Sequence, residues 1–573
     1  MRTAEQRGGE RRPAASAFAL VLGLACLAAG CSDKGGHREP THPVDVLTQR
    51  NDIARSGLNL DETVLDTATV AGGGFGKLFE RTVDDELYAQ LLVVSGLEMP
   101  GKGRRNVVFA ATVANSIYAY DADDPKADKP LWHVNFTPPR ARPTRASDMT
   151  GACGGYYQDF TDSIGIVGTP VIDRAAATMF FVARSFEDGR HVQRLHAIDI
   201  TDGSERPNSP VEIAAAVRGA GVGSVDGMVA FDPLRENQRA GLLLVDGVVY
   251  IPYGGHCDWR PYHGWVLGYD AGTLQQAVVW NATPDGVGGG VWQSGQGLSS
   301  DGKAIYVVAA NGSVGVEGDP ASLRNRSETV FKMRRAGDTL APITWFTPGD
   351  WPTLVKTDQG LGSTGLLAIP GTHLGVVGSK GGMVYVVDTD AMGGVAADGE
   401  HDRAVQSFGL NAPNNLHGTP LFWDGPDGKR VFAWANEDRL RSFPFHERYD
   451  IGATVLDVDH AQASRMHAPR DDLPVRSLTP GGFLALSADG ERPGSAVLWA
   501  ALPRSGSANH DVRPGILRAF DAADITRELW NNRKEARRDS CGGFAKFSVP
   551  TVANGKVYLG SFSRRFCVYG LFD

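Results

Sequence analysis

The sequence lacks the short signatures of several common chemistries. No two of its six cysteines are adjacent and none form CxxC, which excludes c-type haem attachment and zinc-type cysteine pairs. Neither HExxH nor GxSxG occurs, so the helix-borne zinc protease and the nucleophile-elbow hydrolase lose their marks. The net charge of -9 is spread thinly and no run of five or six basic residues is found, so no nucleic-acid footprint is present. The apolar run Ala17 to Leu27 is too short to span a bilayer. Two matches by letters fail on context: Gly360 to Gly365 leads into a strand rather than from a strand to a helix, and Gly96 to Lys102 is followed by Gly103 where a phosphate loop needs Ser or Thr. The acidic turn at Asp121 to Asp124 lacks the Gly and distal Glu of a calcium loop and reads as a capped turn.

What the chain has in abundance is turns and a repeat. With 71 Gly and 32 Pro it favours short elements joined by tight turns, hence β structure. One phrase recurs: a small or Pro-containing entry to an apolar strand, a turn, a Val/Tyr-rich strand, a turn, and a strand ending near Asp. Entries stand at Gln90-Leu91, Thr169-Pro170, Ala240-Gly241, Gln296-Gly297, Thr364-Gly365, Thr419-Pro420, Gly481-Gly482 and Val549-Pro550, spaced by 55 to 79 residues. The third unit is the clearest, with strands at 241–245, 248–253, 265–271 and 276–282. Its third strand has counterparts in Ile117 to Asp121, Leu195 to Asp199, Val384 to Asp388 and Leu517 to Asp521. In each, large and small residues alternate, as suits a strand buried on both faces, and the Asp starts a turn. Trp132, Trp280 and Trp530 close fourth strands.

Four antiparallel strands make one propeller blade. The phrase Ala519-Phe520-Asp521-Ala522 running to Leu529-Trp530 resembles the repeat of quinoprotein-like propellers, and the period covers roughly residues 75 to 573. The fold expected is all-β: an eight-bladed β-propeller of four-stranded antiparallel blades. The last unit stops at its third strand, Val568 to Leu571, while Lys77-Leu78-Phe79-Glu80 resembles the fourth strand Glu528-Leu529-Trp530, so an N-terminal strand is expected to close the last blade.

The first residues form a targeting segment. Arg2, Arg7, Arg11 and Arg12 precede the apolar run, and Ala28-Ala29-Gly30-Cys31 resembles a bacterial lipoprotein signal, with Ala28 where Leu is commoner. That resemblance implies a lipid on Cys31, and Ser32 implies outer-membrane retention, facing the periplasm or the cell surface. An ordinary secretory signal cut near Ala29 is the other reading, and both export the chain. The domains expected are a signal peptide at 1–30, a polar tether at 31–45 and the propeller at 46–573. In an oxidising compartment Cys153, Cys257, Cys541 and Cys567 make two disulfides with three connectivities open; loop positions favour Cys153 with Cys257 and Cys541 with Cys567.

Propellers bind ligands at the mouth where first strands begin and second strands end. First-strand entries place Gln90, Thr169, Trp292, Gln293, Thr364 and His417 there; second-strand ends add Asn115, Arg184, His256, Asn311, Lys380, Glu437, Asp438, Arg504, Arg564 and Arg565. Solvated turn residues are the plainer reading of most. The densest group is His256-Cys257-Asp258-Trp259 with Tyr262-His263-Gly264-Trp265, fit for metal ligation or acid-base work, or else a disulfide partner among blade-filling rings. No metal set and no catalytic residue is assigned. The family resemblance implies two functions. One is an alcohol, aldehyde or sugar dehydrogenase using pyrroloquinoline quinone and Ca²⁺ with an Asp base, although the adjacent cysteines of those alcohol dehydrogenases are missing. The other, preferred here, is an exported binding or assembly module for a small polar ligand or an envelope protein, like the lipid-anchored propeller of the outer-membrane assembly machinery.

Overall fold

In the computed structural model, residues 40–396, 402–410, 415–470 and 480–572 are described. The signal, Cys31 and most of the tether lie outside them. Each expected entry is followed by an innermost strand: Leu92–Met99, Val171–Asp173, Leu243–Val245, Ser299–Ser300, Leu367–Ala368, Leu421–Gly425, Phe483–Ser487 and Thr551–Ala553. Each pairs antiparallel with the next strand outward, and in blades 1 to 7 the four strands lie in sequence order. This is an eight-bladed propeller of four-stranded antiparallel blades. The third-strand aspartates do what their position predicts: Asp121 Oδ1 accepts the backbone N–H of Asp123, and Asp270, Asp388 and Asp521 make the same bond two residues on.

Blade 8 takes its outer strand from the N-terminus. Phe75–Thr82 pairs antiparallel with Arg565–Leu571, from Phe75 opposite Leu571 to Thr82 opposite Arg565. Phe75 is buried between Trp499 and Trp530, at ring distances of 5.4 and 4.9 Å, so the closing strand is also stapled to blade 7. Apolar clusters lie between neighbouring blades rather than in one central core; one joins rings of blades 8, 1 and 2 through Tyr558, Phe109 and Phe181.

Ahead of that strand, residues 44–59 run along the inner strands and fill the axis. Val44 N–H donates to Asn554 Oδ1, Leu47 C=O accepts from Ile172, Ile53 C=O accepts from Ser300, and Leu58–Asn59 pairs parallel with Leu486–Ser487. Two fully buried arginines anchor this plug. Arg50 donates to the carbonyls of Thr419, Pro420 and Arg55, and Arg55 to those of Leu298, Leu242 and Gln49. Both are capped by carbonyl oxygens, and burial pushes them down to about 10 and about 9. The plug thus ties together the starts of blades that are far apart in sequence.

Disulfides join Cys153 to Cys257 and Cys541 to Cys567. The first ties the loop entering blade 2 to the second-to-third-strand loop of blade 3; the second lies in blade 8 and the loop entering it. Among the described residues no helix is long and apolar enough to cross a membrane.

Candidate functional site

The mouth is built by the loops that enter each blade and those that join second to third strands. Its lowest tier is a buried belt. Gln90 accepts Arg50 N–H at 2.9 Å, donates to Thr551 Oγ1 at 3.0 Å, and gives its own N–H to Thr169 Oγ1 at 2.9 Å. Thr364 bonds Gly378 across its own blade. Asn115 is buried and clasps blade 2 through Arg184 C=O at 2.8 Å. Blade entries are where neighbouring blades and the plug meet, and the polar side chains there satisfy one another.

The loop 254–264 sends its three candidates in different directions. His256 lies between Tyr157 Oη, 2.6 Å from Nδ1, and Arg184 Nη1, 2.7 Å from Nε2. A guanidinium only donates, so Nε2 accepts and Nδ1 carries the proton that it donates to Tyr157. Burial, reinforced by the Arg184 charge, keeps this imidazole neutral. His263 points away, bonding Thr283 and the carbonyl of Val222 at 3.0 Å. Asp258 turns to the opposite corner, where Tyr262 donates at 2.5 Å and Asn311 Nδ2 at 3.1 Å.

That corner gathers acid. Asn311 Nδ2 also donates to Asp358 Oδ1 at 2.7 Å, whose other oxygen accepts from Lys380 at 2.5 Å. Glu328, fully buried, accepts the N–H groups of Asn311 and Leu361 at 2.7 Å each. Burial raises Asp258, and the Asp358 charge adds to it; burial pushes Glu328 up to about 7. Asn311 Oδ1 is buried without a partner. Asp258, Asn311 and Lys380, chosen from their turn positions, are therefore brought together, with Asp358 and Glu328 added. Glu437 and Asp438 lie in the corresponding loop of blade 6, where Asp438 holds Arg441 at 2.9 Å. Trp292, partly exposed, packs on Gly254 and Gly290, where a Cβ would come within 3.0 and 2.7 Å of its ring.

Across the mouth is a cavity of about 570 Å³. Tyr88 stacks on Phe160 at 4.6 Å and meets Phe562 at 4.4 Å, and Tyr157 completes an aromatic wall. His510 Nδ1 lies 2.9 Å from Asp159 Oδ1. Burial alone would raise Asp159, but His510 and the charges of Lys546 and Arg239 outweigh it and hold the carboxyl below its usual range. Lys546 is buried in the cavity wall with Asn509 C=O as its acceptor, and burial pushes it down to about 8. Beside it, the Arg239 guanidinium stacks 3.5 Å from the centre of the Phe547 ring. Among the described residues no hydrogen bond or ion pair engages Arg239, and its Nε is fully buried. His417 faces the same ring at 5.6 Å with Nδ1 unpartnered, and burial with the Lys380 and Arg239 charges keeps it neutral. The fully buried amides of Asn415 and Asn436 are also unpartnered.

No family model and no curated protein matches the chain. Solved structures do. The chain aligns over 93% of its length with 81% of the quinohemoprotein alcohol dehydrogenase ADHIIG of Pseudomonas putida HK5, at 14% identity and a TM-score of 0.53. It aligns over 93% with 99% of a europium-containing methanol dehydrogenase, at 12% identity and a TM-score of 0.52. The eight-bladed propeller fold is similar to that of these dehydrogenases. At these identities the likeness concerns the fold. BamB of Moraxella catarrhalis aligns over its whole length with 87% of the chain, at 12% identity and a lower TM-score of 0.46.

The sequence reading missed Tyr157, Asp159, Arg239, His510 and Lys546. A signal existed for two of them: Arg239 directly precedes the entry Ala240-Gly241, and Lys546 stands three residues before Val549-Pro550, so both sit where entering loops reach the axis. Tyr157, Asp159 and His510 come from long loops whose path the repeat does not set.

Proposed function

We propose that this quinoprotein-like propeller binds a small anionic organic molecule at its mouth, with the anionic group on Arg239. One observation carries the reading: a half-buried guanidinium stacked on a ring, its Nε buried without a partner and none of its five N–H donors engaged by a described residue. The buried Nε lacks the acceptor it would have in water, and a carboxylate or phosphate would supply acceptors to the guanidinium in bidentate form. The unpartnered His417 and the amides of Asn415 and Asn436 support a polar occupant, and the aromatic wall supports an organic body. Calorimetry against a panel of carboxylates and phosphates tests it. Arg239→Met should weaken the best ligand at least about tenfold, or about 1.4 kcal/mol. An empty panel, or binding indifferent to this substitution, would sink the reading.

A second reading, a dehydrogenase dependent on pyrroloquinoline quinone and Ca²⁺, is favoured by the Asp258, Asn311 and Asp358 corner. Two carboxylates, the largely buried Asp258 and the exposed Asp358, share one amide, with an orphaned amide oxygen and Lys380 as the nearby counter-charge. These oxygen donors suit a hard divalent cation. Asp258, Asp358 and Asn311 would hold the ion, and the quinone, when bound, would accept the reducing equivalents of an alcohol or aldehyde. Tyr157 and His256 would orient groups across the mouth. Purified protein given quinone and Ca²⁺ should then reduce an artificial dye in the presence of alcohols, aldehydes or sugars, and Asp258→Asn should abolish it. Failure to bind the quinone removes this reading and leaves the first.

We further propose lipid attachment at Cys31 and an outer-membrane location. Labelling with a radioactive fatty acid should mark the wild-type chain and not Cys31→Ala; equal labelling of both would refute it.

A further inference from the structure

We infer that Lys546 is a carbonyl-capturing amine, and that the ligand class of the mouth is a small molecule with an aldehyde or ketone carbon beside an anionic group, such as an oxo-carboxylate. The inference rests on the anion reading of Arg239 and adds a covalent step to it. Lys546 and Phe547 are consecutive, and the Phe547 ring carries the Arg239 guanidinium, so amine and anion site are neighbours. Nζ donates to Asn509 C=O, and no carboxylate lies within ion-pair distance of it among the described residues. An ammonium brings three donors and a neutral amine two plus a lone pair, so a buried nitrogen with one acceptor suits the neutral form. Neutral lysines in dry pockets are the ones that form Schiff bases. Aromatic rings wall the space in front of it, and His510, held by Asp159, lines the same cavity.

The step balances without an oxidant or reductant. The Nζ lone pair attacks the carbonyl carbon, forming the C–N bond while the carbonyl π pair moves to oxygen. That oxygen takes up two protons in turn, matching the two the nitrogen gives up, and the C–O bond breaks with loss of one water. The product is a C=N bond. His510 is placed to supply the proton to the departing oxygen, and Asp159 orients the ring. The charged groups acting on Nζ are Asp159, Arg239 and Glu86, and His510 and Asp511 line the same cavity. The two carboxylates Asp159 and Glu86 favour the charged amine, Arg239 opposes it, and burial outweighs the acids.

The test is reductive trapping. The purified full chain is incubated with glyoxylate and cyanoborohydride near pH 8, digested, and modification is quantified for every lysine. Lys546 should be labelled at least about tenfold faster than the mean surface lysine, because its share of neutral amine at that pH exceeds an ordinary lysine's by on the order of a hundredfold. Label spread over exposed lysines with Lys546 spared would overturn the inference. Lys546→Arg should lose the label while keeping the wild-type melting profile. A measurement on the wild-type chain, independent of how any variant folds, stands beside it: the rate at Lys546 should reach half its plateau near pH 8, and a rise only above pH 10 counts against the inference. Arg239→Met should slow trapping of glyoxylate more than of propanal; equal slowing removes the anionic half of the ligand class. If anions bind through Arg239 but nothing is trapped at Lys546, the amine inference falls and the binding reading stands. If no anion binds, both fall.

Discussion

Two buried arginines and one half-buried one show how partners decide the meaning of one residue type. Arg50 and Arg55 are surrounded by carbonyl oxygens, whereas Arg239 has a ring face and no acceptor. Breaking the first kind strands buried carbonyls at about 1–3 kcal/mol each, while removing the half-buried Arg239 breaks no hydrogen bond and relieves the buried, unpartnered Nε. Arg55→Met is therefore expected to destabilise by roughly 3 kcal/mol or more in urea titration, and Arg239→Met to leave stability unchanged or raised. The histidines supply a pH prediction. His256 and His417 are held neutral when folded, with affinities for protons below the ordinary value of 6.5. The unfolded chain then binds more protons below that value, so stability is fully present above pH 6.5 and is lost as pH falls. The expected slope is up to about 1.4 kcal/mol per pH unit for each ring. Melting followed from pH 7.5 to 5 should show the fall, and His256→Gln should flatten part of it. An unchanged slope would place His256 outside this linkage.

At the scale of elements, the closing strand carries more than its length suggests. Phe75–Thr82 completes blade 8 and covers the edge that Arg565–Leu571 would otherwise expose. Its entry is fixed by Phe75 against two tryptophans, so Phe75→Ala is expected to cost about 3–5 kcal/mol in denaturant unfolding and to promote association through the freed edge. A loss below 1 kcal/mol would mean that the main-chain ladder holds the strand alone. The mouth loops are secured differently. Cys153 and Cys257 are separated by 104 residues, for which chain entropy gives about 4.7 kcal/mol of stabilisation, against about 3.5 kcal/mol for the separation of 26 between Cys541 and Cys567. The paired change Cys153→Ser with Cys257→Ser should raise hydrogen exchange in residues 146–162 and weaken ligand binding, because the loop bearing Tyr157 and Asp159 loses its tie to the loop bearing His256. Exchange confined to other regions would show that the loops are held without the bridge.

For the whole molecule, the sequence by itself determined the blade. Entries such as Thr419-Pro420, the Val/Tyr alternation and the terminal aspartates are local patterns, each fixed within a few residues by strand periodicity and turn chemistry. Closure was equally legible, because Lys77 to Glu80 looks like a fourth strand and Val568 to Leu571 lacks one. Half of the candidate site was legible for the same reason: Asp258, Asn311 and Lys380 occupy equivalent positions in successive blades, and equivalent positions converge on the axis. What only the tertiary structure decided has no period. Residues 44–59 became an axial plug because Arg50 and Arg55 found carbonyls presented by blades hundreds of residues away. His256, Asp258 and His263, close in sequence, parted because a loop between strands turns its side chains toward three different neighbours. Arg239, Lys546 and Asp159 met because long loops from separate blades share one mouth. Hydrogen bonding within a blade is local and readable, while the pairing of loops across the axis depends on where the closed ring finally places them.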